Sequence, residues 1–175
     1  MIKFLVLLLL LVLIVVGVAS TRPDSFRIER SALVKASPEK IYPLITDFSK
    51  WQTWSPWEKK DPAMKRSQSG PASGVGAVYD WEGNKDVGSG RMEVVEATPS
   101  SRIRIKLDFL KPFEAHNVAE FSLTPKGDQT EVVWAMSGPQ PLMAKIMSLF
   151  FSMEKMVGPD FEQGLAALKV QAERP

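Results

Sequence analysis

The run MEKMVGPDFEQGLAALKVQA, Met153–Ala172, decides how the rest of the chain is read. Its apolar residues Met153, Val157, Phe161, Leu165 and Leu168 recur every three or four positions, which places them on one face of a helix. Gln163, Lys169, Gln171 and Glu173 fall mostly on the opposite side. Gly158-Pro159 is expected to kink or break this helix, because proline lacks the N–H that the helical ladder uses. Everything from Phe26 to Met136 alternates as short strands do, and strands with one apolar face need a cover. This helix is the only long candidate late in the chain. Laid across a curved antiparallel sheet, it closes a core or, where the sheet bends away, a cavity.

Working backward from the helix, the clearest strand is Arg102–Leu110. Ile103, Ile105, Leu107 and Phe109 share one face, and Arg102, Arg104, Lys106 and Asp108 the other. Ala115–Leu123 turns Phe121 and Leu123 inward, and Thr130–Met136 does the same with Val132, Trp134 and Met136, across a hairpin loop at Pro125–Asp128. Gly88–Ala97 groups Met92 with Val94, and Ala77–Glu82 groups Tyr79 with Trp81. Phe26–Val34 reads as a first strand with Phe26, Ile28, Leu33 and Val34 as its apolar residues. Glu58–Val75, rich in Lys, Ser, Gly and Pro, reads as a mobile loop. Its G-P-A-S-G-V-G lacks the strand-then-helix context of a phosphate loop.

Two helical pieces precede that loop. Ser37-Pro38-Glu39 is a helix start, with Ser37 able to cap and Pro38 suited to the first helical position. Ile41, Tyr42, Leu44, Ile45 and Phe48 supply its apolar face. Trp51, Trp54 and Trp57 follow at three-residue spacing, three of the five tryptophans in the chain. They form either a hydrophobic plug sealing a short helical turn onto the sheet or an aromatic rim at a pocket mouth.

Composition narrows the chemistry. The chain has 175 residues, a net charge of +2 and 24% charged residues, an ordinary globular balance with no bias toward nucleic acid. It has no cysteine, which excludes disulfides, thiolate catalysis and cysteine zinc sites. The lone histidine, His116, alternates outward with Val118 and Glu120, so it reads as a solvated strand residue and not a general base. Asp80, Glu82 and Glu93 also alternate outward. No cofactor and no metal site is expected.

The N-terminus is different material. Phe4–Ala19 holds no polar side chain, and Lys3 is the only charge before Arg22. As a helix it spans roughly 24 Å at about 1.5 Å per residue, close to the ~30 Å hydrocarbon core once Met1, Ile2 and a snorkelling Lys3 are added. It reads as a retained transmembrane anchor or as a cleaved signal peptide, Gly17 and Ala19 being small enough for cleavage. Lys3 favours an N-inside orientation, weakly opposed by Arg22. Either reading exports the remainder. The expected division is 1–20 anchor or signal peptide, 21–25 linker and 26–173 folded domain.

The element order, with A-S-P-E-K-I-Y-P-L-I-T-D-F-S-K-W at Ala36–Trp51, V-G-S-G-R-M at Val87–Met92 and D-F-E-Q-G-L-A-A-L-K at Asp160–Lys169, resembles the START-like helix-grip superfamily. Within it the chain is most similar to bacterial polyketide cyclase/dehydrase-like SRPBCC proteins. The resemblance implies an α+β domain whose curved antiparallel sheet wraps the C-terminal helix around an apolar cavity. It brings no fixed catalytic set. The expected cavity residues are Trp54, Tyr79, Trp81, Met92, Val94, Ile105, Leu107, Phe109, Asn117, Phe121, Trp134, Met136, Met153, Met156 and Phe161. The expected occupant is a hydrophobic or amphipathic small molecule or lipid, bound by a domain at the outer face of a membrane, with no nucleic-acid partner. Two alternatives stay open. One is a cyclase- or dehydratase-like enzyme using Tyr79 or a loop carboxylate in that cavity. The other is an interaction module whose cavity is filled by its own side chains.

Pro141–Val157 is the last feature. It is apolar nearly throughout, broken only by Lys145, Glu154 and Lys155, and reads as a helix over Leu142–Met156. It is either core, covered by the sheet and by Trp51–Trp57, or an interfacial element. In the second reading Leu142, Ile146, Leu149 and Phe150 dip into lipid, Lys145 and Lys155 meet anionic headgroups, and Gly158-Pro159 hinges the cavity open.

Overall fold

The computed structural model describes residues Met1–Pro175, the side chain of Ile2 excepted. Its centre is one antiparallel sheet of seven strands: β1 (Ser25–Val34), β2 (Lys65–Ser69), β3 (Val78–Glu82), β4 (Ser89–Thr98), β5 (Arg102–Lys111), β6 (Ala115–Lys126) and β7 (Gln129–Pro139). Their order is β1-β7-β6-β5-β4-β3-β2, a meander whose far edge is closed by the first strand. The inner face carries Val94, Ile103, Ile105, Phe121, Leu123, Val132 and Trp134, all buried. The outer face carries ion pairs such as Arg102–Glu120 at 2.5 Å and Lys106–Asp108 at 2.8 Å. This is the one-sided pattern that the alternation predicts. A register shift leaves Val95 without a partner between the Val94–Ile105 and Glu96–Arg104 pairs. Such a bulge bends a strand and resets its alternation, here turning Ala97 rather than Glu96 toward the core.

The helix α5 (Met153–Ala172) lies along β1 and against β7, α2 (Pro38–Thr46) and α3 (Pro56–Lys60), giving the helix-grip arrangement. Its buried residues are Gly158, Phe161, Gly164, Leu165, Leu168 and Ala172. Each large apolar side chain buried this way stabilises by about 1.5–3 kcal/mol. Arg30 of β1 reaches over Gly158 and pairs with Glu154 and Glu162, each at 2.6 Å. These three α5 residues are four apart and form one stripe, so the arginine clasps the helix to the sheet edge.

The Trp segment seals α2. A 3-10 turn over Phe48–Thr53 lets the Trp51 and Trp54 indole N–H groups donate to the carbonyls of Ile45 and Leu44, both at 2.9 Å. Those carbonyls belong to the last turn of α2, which has no helical partner for them. Asp47 accepts from the Ser49 amide at the start of the turn.

Several expectations are corrected. The stretch 58–75 is not one loop: it finishes α3 and forms β2, whose polar KRSQS ladders onto β3 at an edge. Strands β6 and β7 extend past the expected ends, so their loop is only Gly127-Asp128. Leu33 faces solvent, and Ala32 takes the inward position between Arg30 and Val34. Ser37 stands at the N-cap of α2 without a side-chain cap bond. The apolar run before the C-terminus breaks elsewhere than expected. α4 (Leu142–Met147) ends at Ser148, residues 148–152 are non-helical, and α5 runs unbroken through Gly158-Pro159. The helix restarts at Ser152, whose side chain accepts from the Lys155 amide. Arg30 ties α5 to β1 on both sides of Gly158.

α1 (Ile2–Ser20) stands apart. Its span Lys3–Ser20 is long and apolar enough to cross a membrane, and only 6% of it is buried. Ala19, near its end, is buried, and α1 packs against α4.

Candidate functional site

The concave face divides into a sealed half and an open half. Along β5, Ile103 and Ile105 are fully buried, whereas Leu107 and Phe109 border a cavity. Val94 and Met92 divide β4 in the same way, Phe121 and Ala119 divide β6, and Val132 and Met136 divide β7. The sealed half is filled from above by Ile41, Ile45, Leu165 and Leu168. The open half holds a cavity of about 400 Å3. Its floor is Tyr79, Trp81, Met92, Leu107, Phe109, Ala119, Trp134 and Met136. Its roof is Trp51, Trp57, Met64, Met156, Val157 and Phe161. Exposed Lys85, Asp86, Lys111 and Pro112 mark the mouth, with Lys60 and Asp160 paired at 2.6 Å between α3 and α5. A neighbouring groove bordered by Glu82–Lys85, Gly88, Ser89, Lys111 and Pro112 shares Lys85, Gly88, Lys111 and Pro112 with the cavity.

Trp134 is the keystone between the halves. Phe161 stacks on its indole at 4.2 Å and 5°, and Phe121 on the other face at 5.0 Å and 25°. Trp57 meets it edge-on at 5.6 Å. Such aromatic contacts are each worth about 0.5–1.5 kcal/mol beyond area burial.

Most polar groups in the wall are spoken for, but the buried Trp134 indole N–H has no hydrogen-bond partner among the described residues. Glu58 accepts from the Tyr79 hydroxyl at 2.5 Å through one oxygen and pairs with Arg66 at 2.6 Å through the other. Burial, and then the Glu58 carboxylate, push the Tyr79 phenol well above its ordinary value, so it stays a protonated donor. The Trp81 N–H reaches the Val87 carbonyl at 3.3 Å. Among the described residues no group of three acidic or histidine side chains is placed to hold a metal. His116 lies on the outer face, as its alternation predicts, but it is not simply solvated. Its Nδ1 meets Asp108 at 2.7 Å and its Nε2 meets Glu114 at 3.3 Å.

Nine of the fifteen expected cavity residues border it: Tyr79, Trp81, Met92, Leu107, Phe109, Trp134, Met136, Met156 and Phe161. Trp54 does not, because its indole turns away to cap α2. Val94, Ile105 and Phe121 lie in the sealed half. Asn117 is buried with its amide toward the Met136 sulfur, under Gly138, and Met153 points to solvent from the first turn of α5. Sequence reasoning missed Glu58, Met64 and the mouth loop 85–88. It also missed Ala119, although that residue alternates between Asn117 and Phe121 and was within reach of the period-two pattern.

Residues 25–173 match the family described as "Polyketide cyclase / dehydrase and lipid transport". The chain belongs to that family. Solved structures of this fold include protein CV1439 from Chromobacterium violaceum, at 16% identity over 88% of this chain and all of that one, with a TM-score of 0.61. Protein MLL2253 from Mesorhizobium loti is 20% identical over 85% of this chain and 98% of its own, with a TM-score of 0.60. Ginseng major latex-like protein 151 from Panax ginseng is 11% identical over 87% and 100%, with a TM-score of 0.59. At such identities the likeness is one of fold. No curated protein matches this family member in sequence.

Proposed function

We propose that this polyketide cyclase/dehydrase-family chain is a membrane-tethered binding protein for a hydrophobic or amphipathic small molecule. The observation that carries the reading is the open half of the sheet: an aromatic and methionine-lined cavity of about 400 Å3 under α5. Ligand sites of small molecules fall in the range of about 300–1,000 Å3 and are mostly apolar with few polar groups. Met64, Met92, Met136 and Met156 give walls that adapt to varied apolar shapes. Lys85 and Lys111 at the mouth suit the polar end of an amphiphile. The family description, which includes lipid transport, supports the same reading. The tether is α1, retained as an anchor.

The Glu58–Tyr79 pair favours a brace over an acid–base site. Both carboxylate oxygens are engaged, and the phenol is a fixed donor to one of them.

The test is native mass spectrometry of the full chain released from lipid nanodiscs. The expected spectrum has the 19.5 kDa chain carrying a non-covalent adduct of lipid size, or gaining one after incubation with a fatty acid. Bare chain under both conditions refutes the reading.

A further inference from the structure

The apolar run after β7 does not become core. Met143, Phe150, Phe151 and Met156 are 69%, 68%, 57% and 61% exposed. A soluble surface seldom carries so many large apolar side chains in so short a stretch without something to cover them. The surrounding structure says what the cover is. α4 packs against α1, so the patch continues the apolar surface of the one helix fit to enter a bilayer. Two contacts relate the patch to the end of that helix. The buried Lys145 ammonium pairs with the Asp24 carboxylate at 2.5 Å, and the Gln140 amide donates to the Asp24 carbonyl at 2.7 Å. Asp24 follows closely on Ser20, the end of α1, so the patch lies level with the point where the chain leaves the apolar helix. Lys145 is buried and paired with Asp24, whereas Lys155, exposed on the first turn of α5, is the cation presented beside the patch. Met156 belongs both to this patch and to the cavity wall.

We propose that Leu142–Met156 lies in the interfacial layer of the membrane entered by α1, and that the cavity exchanges its ligand with that layer past Met156. The inference rests on the binding function proposed above and on α1 being a retained anchor. It narrows the ligand to a membrane-resident lipid or similar amphiphile taken from the bilayer rather than from water.

Because the chain has no cysteine, Phe150→Cys creates a single labelling site. The full chain is reconstituted in phosphatidylcholine vesicles containing phosphatidylglycerol and labelled there with an environment-sensitive fluorophore. Nitroxide-bearing lipids are expected to quench the label at 150 and to leave one at Asp128→Cys, on the exposed β6–β7 loop, unquenched. Equal, weak quenching at both positions overturns the interfacial placement. A second measurement follows transfer of cis-parinaric acid from vesicle to cavity. Phe150→Ser with Phe151→Ser, two exposed side chains, should slow transfer several-fold and leave final occupancy unchanged. An unchanged rate overturns exchange past Met156. Absence of cavity occupancy in the unmodified chain refutes the binding function instead, and the quenching result is independent of it.

Discussion

His116 shows how a residue with an unremarkable sequence position acquires a physical role from its neighbours. The Asp108 carboxylate, by hydrogen bonding and then by charge, holds the imidazole above its ordinary value against the opposing effect of burial. Burial pushes the Asp108 carboxyl up, but hydrogen bonds from Lys106 and His116 outweigh it and leave the group below its ordinary value. A histidine raised in the folded state contributes stability that is complete below its unfolded value of about 6.5 and is lost as pH climbs through the folded value. Asp108 stays ionised across that window, its own contribution failing only in acid. The melting temperature of wild type should therefore exceed that of His116→Gln by more at about pH 6 than at about pH 8. A gap independent of pH would contradict the pairing. The alternation of β6 revealed which way His116 points. It did not reveal Asp108, because that partner is brought opposite only by the β5–β6 register.

At the level of elements, α5 is held by two glycines with different neighbours. A side chain at Gly158 would meet the end of the Arg30 guanidinium, which can swing aside. A side chain at Gly164 would meet the Trp134 ring at 2.6 Å and Pro56 at 3.1 Å, and that ring is locked between two phenylalanines. Alanine gains about 1 kcal/mol over glycine in a helix, while overpacking a core costs about 1–3 kcal/mol. Because the Trp134 ring is stacked on both faces, the cost at Gly164 lies at the upper end, about 2–3 kcal/mol, so Gly164→Ala should lose about 1–2 kcal/mol net; Gly158→Ala, giving up partly exposed ion pairs, should stay within about 1 kcal/mol of wild type. Urea midpoints check both, and a neutral Gly164→Ala would contradict the packing around Trp134. The Ile103–Phe109 alternation and the Phe161–Leu168 spacing were legible because each buries one face of a regular element. β2 was not, since KRSQS has no buried face to impose a period; only its ladder to β3 makes it a strand. The break at residues 148–152 was hidden because the run is apolar on both sides of it. The proline expected to break α5 sits inside it, in a helix whose Gly158 and Phe161 are buried.

For the molecule as a whole, the fold could be read from pattern, but the division of the concave face could not. Ile105 and Leu107 are the same kind of residue in the same strand, and only the distance between sheet and α5 decides which of them borders empty space. Trp54 and Trp57 differ in the same way, one capping a helix and the other roofing the cavity. The central claim is that this space takes up an apolar guest. Trp57 and Trp134 border it and can transfer excitation to cis-parinaric acid bound inside, and Ala119→Phe would place a ring in the lumen from the floor. The measurement is a titration of the full chain in nanodiscs against empty discs, with folding of the variant checked by circular dichroism. The account predicts saturable energy transfer at one probe per chain in wild type and its loss in a folded Ala119→Phe. Wild-type signal no greater than that of empty discs, or binding unchanged in the variant, would contradict it.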